Sequence, residues 1–264
     1  MEKLWQIYLR VLVMAILMPV TAFAAVVDSY WPAMHKAFFA GKEIADGSDF
    51  IKLEAAERAE NAALVPFAFT IDYPTQTGNY ISQVYVLTDA NPVQLTATFH
   101  FTPEMPPVIA SRIRLEKDTY VRVIAETSSG KLYMAKIAIK TLGGGCGGGV
   151  SINETKLRAE AGRMKINVQT PQSGITNQLS FNIKHPMRTG FERTVQGYYA
   201  KAYYINRLDF SLDGKPLLGM DVGVGISADP YLHFSYPQTG KVLAVKASDN
   251  EGKAYDQQWA LPDH

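Results

Sequence analysis

Apolar residues along the chain follow two different periods. Between Asp28 and Glu60 they recur at helical spacing: Trp31, Met34, Phe38 and Phe39 first, then Phe50, Leu53, Ala56 and Ala59. Asp46-Gly47-Ser48 breaks this stretch, and Ser48 or Asp49 is placed to cap a second helix. From Leu64 onward the period is two. Residues 65–71, with Pro66 near the start, read as a strand. Residues 80–87, ended by Asp89-Ala90-Asn91-Pro92, read as another, as do 95–101, 110–115, 120–125 and, after the Ser128-Ser129-Gly130 turn, 132–139. After residue 163 the alternation resumes at 164–170 and 179–183. A long aromatic-rich stretch at 198–210 and an Asp213-Gly214 turn follow, then 217–224, 231–236, 242–247 and 255–261. Short strands at this spacing predict an all-β chain of two antiparallel β-sandwich domains with an N-terminal helical segment. No internal repeat relates the two halves.

Between them lies Gly143-Gly144-Gly145-Cys146-Gly147-Gly148-Gly149. Glycine loses the most entropy on ordering, so this run reads as a flexible linker and a domain boundary. The predicted organisation is 1–24 signal peptide, 25–142 first domain, 143–163 arm and linker, and 164–264 second domain.

Cys146 is the only cysteine of the chain. A lone cysteine forms no internal bridge, so it is either buried and inert or kept for its reactivity. The flanking glycines favour reactivity. They remove side chains around the thiol, expose N–H groups that could bind an anionic adduct, and give reach, about 10 Å for three extended residues. Lys140 and Lys156, the nearest cations, are several residues away, so a thiol only partly ionised at neutral pH is expected.

The N-terminus changes the expected compartment. Lys3 and Arg10 precede the apolar run at 11–20, and Ala22-Phe23-Ala24 has small residues where a signal peptidase reads. This predicts a secretory signal cleaved after Ala24, the alternative being an uncleaved anchor. The run is too short to span a bilayer. The mature chain is expected outside the cytoplasm, with no membrane association after cleavage. Of 264 residues, 26 are Lys or Arg and 25 Asp or Glu, and the net charge of +1 gives no reason to propose a nucleic-acid partner.

Other candidate chemistry is weak. His35, His100, His185, His233 and His264 are not at ligand spacing, and His100 and His185 read as structural. Gly-x-Ser-x-Gly is absent, and the glycines between 219 and 225 do not follow a strand and open a helix. Asp209, Asp213, Asp221 and Asp229 read as solvated carboxylates rather than a calcium site. No metal, organic cofactor or catalytic residue is implied.

The glycine-flanked cysteine after Lys136-Ile137-Ala138-Ile139-Lys140 resembles the carrier arm of SoxY, one subunit of the sulfur-oxidation carrier SoxYZ. Asn91-Pro92, the stretch 97–103 and Arg112-Ile113-Arg114-Leu115 look like the body of that subunit, while 185–190 and 227–234 look like SoxZ. The resemblance is to a fused SoxYZ-like carrier associated with quinoprotein dehydrogenases. It implies two immunoglobulin-like sandwiches and a covalent carrier, not an enzyme. Cys146 would hold sulfur intermediates as thiosulfonate or persulfide for periplasmic sulfur-oxidation or quinoprotein-system enzymes, with Gly143, Gly144, Gly145, Gly147, Gly148 and Gly149 as the flexible arm. One departure stands out: the family arm ends the SoxY chain, whereas here it continues at Val150. A non-covalent docking protein for a quinoprotein dehydrogenase is the rival reading, and an exposed thiol would also permit a Cys146–Cys146 linked homodimer.

Overall fold

The structure, a computed structural model, describes residues 26, 28–74, 78–148, 154–169, 176–237 and 240–261. The predicted signal peptide and Gly149 lie outside these residues.

The first half contains helix α1 (Trp31–Phe39) and strands β1 (Ile44–Asp46), β2 (Ile51–Glu54), β3 (Arg58–Ala59), β4 (Val65–Ile71), β5 (Ile81–Thr88), β6 (Leu95–Phe101), β7 (Val108–Ile113), β8 (Thr119–Thr127) and β9 (Leu132–Thr141). The second contains α2 (Glu154–Glu160), β10 (Met164–Gln169), β11 (Thr176–Ile183), β12 (Ile205–Leu212), β13 (Lys215–Val222), β14 (Tyr231–Pro237), β15 (Val242–Asp249) and β16 (Ala254–Ala260).

These strands form two layers, and each half contributes to both. A ten-stranded sheet runs β1-β9-β8-β5-β6-β13-β12-β15-β16, with β3 also on β9, and a six-stranded sheet runs β10-β11-β14-β7-β4-β2. The halves therefore join edge to edge through two antiparallel ladders. In one, Phe99 of β6 faces Met220 of β13; in the other, Ala110 of β7 faces His233 of β14. Each ladder pairs what would otherwise be an open strand edge. Inward positions of both sheets build one core that spans both halves. Edge-on aromatic pairs tie the layers together: Phe69 to Phe99 at 5.5 Å in the first half, Phe181 to Phe210 at 5.0 Å in the second.

Helix α1 forms as predicted, with Pro32 in its first turn and a left-handed stop at Ala40. It lies on the outer face of the ten-stranded sheet, where Met34 and Phe39 pack with Leu87, Ile124 and Leu132. Under it, Arg122 is fully buried, stacked on Trp31 and paired with Asp89. The second predicted helix does not form. Asp46 instead accepts the backbone N–H and hydroxyl of Ser48 in an Asx turn, and the chain continues as β2 against β4. Ile51 points inward and Lys52 outward, a period-two segment whose phase matches β4. The stretch from 198 to 204 is not strand either. Its chain is irregular between β11 and β12.

Candidate functional site

The glycine run meets both halves at one end of the sandwich. Just past β7, residues Arg114, Leu115 and Glu116 form a short rail. Asn91 fixes it, its Nδ2 donating to Arg114 O at 2.8 Å and its Oδ1 accepting from Glu116 N at 2.9 Å. The arm lies along this rail: Gly144 N donates to Glu116 O at 2.9 Å and Gly145 N to Leu115 O at 3.0 Å. Cys146 N donates to Glu116 Oε2 at 3.1 Å.

The other wall is the irregular segment after β11. The Thr189 hydroxyl donates to Cys146 O at 2.6 Å, and Arg193 N donates to Gly148 O at 2.9 Å. Glu192 organises this wall, accepting from Thr189 N and Gly190 N. Arg114 ties the two walls to the arm. Its Nε donates to Ile226 O at 3.3 Å, Nη1 to Gly145 O at 3.1 Å and Nη2 to Met187 O at 3.2 Å. Met187 presents that carbonyl from a left-handed conformation at φ 48°.

Cys146 is consequently buried, at 3% exposure. The expected exposed, partly ionised thiol is not what the structure shows. Burial pushes the Cys146 thiol up to about 12; Glu116, charged and hydrogen-bonded to it, and Glu192 add to this, against an opposing pull from Arg114. In this position the thiol is neutral and a poor nucleophile.

The glycines do more than loosen the chain. A Cβ on Gly145 would lie 2.1 Å from Ala62 O and 2.5 Å from Leu115 O, so this residue must be glycine for the arm to seat. Gly143 and Gly144 take left-handed φ values of 84° and 76°. A Cβ on Gly147 would meet nothing within 4 Å. Thus the structure brings Gly143, Gly144, Gly145, Cys146, Gly147 and Gly148 together as one docked segment.

The residues missed from the sequence are Arg114, Glu116, Thr189 and Glu192. Arg114 and Glu116 continue the alternation read as a strand at 110–115 and carried no separate signal, whereas in 185–192 charge, proline and glycine replace the alternation. Of the histidines, His100 pairs with Asp221 at 2.7 Å across the β6–β13 seam. Asp221 also accepts from Arg207 at 2.7 Å. Among the described residues, no group of three or more His, Cys, Asp or Glu side chains could hold a metal ion.

His185 sits behind the second wall, buried, with its ring tilted at 51° against that of Tyr203 and the centroids 4.3 Å apart. Its Nδ1 accepts from Met187 N at 3.2 Å, so the neutral ring carries its proton on Nε2. Burial holds its pKa near 4. The unfolded chain, near 6.5, takes up this proton first, so stability is full above pH 6.5 and falls as pH drops through 4. The loss is at most about 3 kcal/mol. Urea midpoints at pH 7 and pH 5 should differ in the wild type and converge in His185→Asn. An equal difference in both proteins would assign it to other groups.

Comparison with known families places this geometry. The profile of the sulfur oxidation protein SoxY matches residues 35–146 and so stops on the thiol; that of the sulphur oxidation protein SoxZ matches residues 164–260. The chain is a SoxY domain followed by a SoxZ domain. The rail belongs to the SoxY half and the second wall to the SoxZ half. No curated protein matches the chain. Among solved structures, it is similar to the sulfur carrier protein SoxY from Chlorobium limicola f thiosulfatophilum, with 28% identity over 42% of this chain and 91% of that one and a TM-score of 0.37. A superoxide reductase (neelaredoxin) from Ignicoccus hospitalis matches at 17% identity, covering 35% of this chain and 80% of its own, with a TM-score of 0.31.

Proposed function

We propose that this chain is a periplasmic carrier that holds sulfur intermediates covalently on Cys146, as thiosulfonate or persulfide, and presents them to partner enzymes without itself acting as catalyst. The observation that carries this reading is where the SoxY match ends. Its last residue is the single cysteine, on a segment held through its own backbone N–H and C=O groups by hydrogen bonds to backbone and side-chain partners. Such bonds exchange with water at about 0.5–1.5 kcal/mol each, so a segment held this way can leave its seat and return. The buried thiol is then the resting form, and an undocked thiol is the form that reacts.

Intact-protein mass spectrometry of the protein from its native compartment tests the reading. The expected result is a reductant-labile increment of sulfur or sulfur-oxyanion size on Cys146, absent from Cys146→Ser, with sulfur-dependent function lost in that variant. A second reading, a non-covalent docking protein, draws on the exposed Val195, Tyr198 and Tyr199 near the arm. It requires Cys146→Ser to keep full function, and a bare thiol under every growth condition would favour it.

A further inference from the structure

The charged groups around the docked arm are unbalanced. Among the described residues, the charged side chains that act on the Cys146 thiol are Glu116 and Glu192 on one side and Arg114 on the other. Glu116 accepts from the backbone N–H of Cys146, and Glu192 lies 2.9 Å from the Thr189 hydroxyl that donates to the carbonyl of Cys146. An uncharged thiol fits between these carboxylates.

We propose that this pocket sorts the arm by charge: Glu116 and Glu192 retain it while Cys146 is a neutral thiol and expel it once Cys146 carries an anionic sulfur group. The proposal rests on the carrier reading of Cys146 and adds to it a means of telling loaded arms from empty ones.

Three features support expulsion rather than accommodation. First, Cys146, Arg114, Thr189 and Glu192 are all buried, so water does not screen an added charge. Second, three of the five N–H groups of Arg114 donate to backbone carbonyls, of Ile226, Gly145 and Met187, and these fix the plane of the guanidinium. Turning the guanidinium toward an adduct would take it from Gly145 O and Met187 O, the contacts that hold the arm to the second wall. Third, Glu192 is fixed by the amides of Thr189 and Gly190 and has no freedom to turn away. The arm, in contrast, loses only hydrogen bonds that water replaces. The thiol's resistance to ionisation in this seat agrees with the same imbalance.

An empty carrier would thus be withdrawn from oxidants and from a second copy's thiol. A carrier loaded with a sulfonate or an ionised persulfide would offer its cargo.

The test compares the full chain in three forms: free thiol, S-sulfonate made with sulfite from the mixed disulfide, and the neutral S-methylthio adduct. Hydrogen–deuterium exchange is followed in peptides covering 143–148 and 187–193. The S-sulfonate should raise exchange in both segments at least tenfold over the free thiol, and the S-methylthio adduct less than threefold. In E116Q/E192Q, the S-sulfonate should fall back to within threefold of that variant's free thiol. Should the double variant not fold, E116Q alone, at the half-buried position, should show a partial return. Equal release by both adducts in wild type, unchanged by the glutamines, would mean that size and not charge empties the pocket, and the proposal would be wrong. Retention of the S-sulfonate would overturn it equally. These outcomes concern an adduct made chemically, so they stand apart from whether cargo is found on native protein.

Discussion

Gly145→Ala is expected to speed labelling of Cys146 by a soluble thiol reagent roughly 50-fold at pH 7.5. The cause is steric. An added methyl would sit 2.1 Å from Ala62 O and 2.5 Å from Leu115 O, both backbone atoms tied into the fold. The arm cannot seat, and the thiol leaves its buried place. A thiol near 12 is ionised to about one part in 30,000 at this pH, and one near 8.5 to about one part in ten. The lower nucleophilicity of the more acidic thiolate cancels roughly half of that gain on a logarithmic scale. Gly147→Ala is the control, since its added Cβ meets nothing and the rate should not change. The arm lies outside both sheets, so both variants should keep the wild-type strand content by circular dichroism, and only Gly145→Ala gives up the hydrogen bonds of the seated arm. Unchanged labelling in Gly145→Ala would mean that the docked state does not protect the thiol in solution.

The largest loss of stability is expected from Asp89→Ala. Asp89 accepts from Arg122 Nε at 2.8 Å and from Nη2 at 2.7 Å, and both side chains are fully buried. A guanidinium does not shed its proton at accessible pH, so removing its buried partner leaves a charge that burial penalises. Asp28 and the face of Trp31 remain as partners, but Asp28 is partly exposed. The cost is about 3–5 kcal/mol, read as a drop in the urea midpoint at unchanged slope. Asp89→Asn should cost less, because it retains one acceptor. A loss below about 1 kcal/mol in Asp89→Ala would show that Asp28 and solvent carry the guanidinium by themselves.

How far the sequence foretold this structure depends on the range of the interaction involved. Strand alternation is local, and β4 through β9 and β10 through β16 follow it closely. The segment 50–59 fits both templates. Phe50, Leu53, Ala56 and Ala59 are spaced as on a helix, while Ile51-Lys52-Leu53-Glu54 alternate. The choice falls to β4, which offers a free edge that no local pattern reveals. The glycine run was legible as a special segment but not as a docked one. Glycine suits freedom and close approach alike, and only the carbonyls of Ala62 and Leu115 decide between them. Glu116 and Thr189 lie 30 and 43 residues from Cys146, so no spacing rule could join them to it.

The two ladders between the halves also bear on stoichiometry. Backbone hydrogen bonds from β6 to β13 and from β7 to β14 hold the sandwich together without help from the peptide link between 148 and 154. What that link adds is constancy under dilution. The thiol and the wall that latches it are encoded on one chain, so each arm meets its own Thr189 and Glu192 at an effective concentration that does not fall with the amount of protein present. Two separate chains would lose the latch whenever they parted.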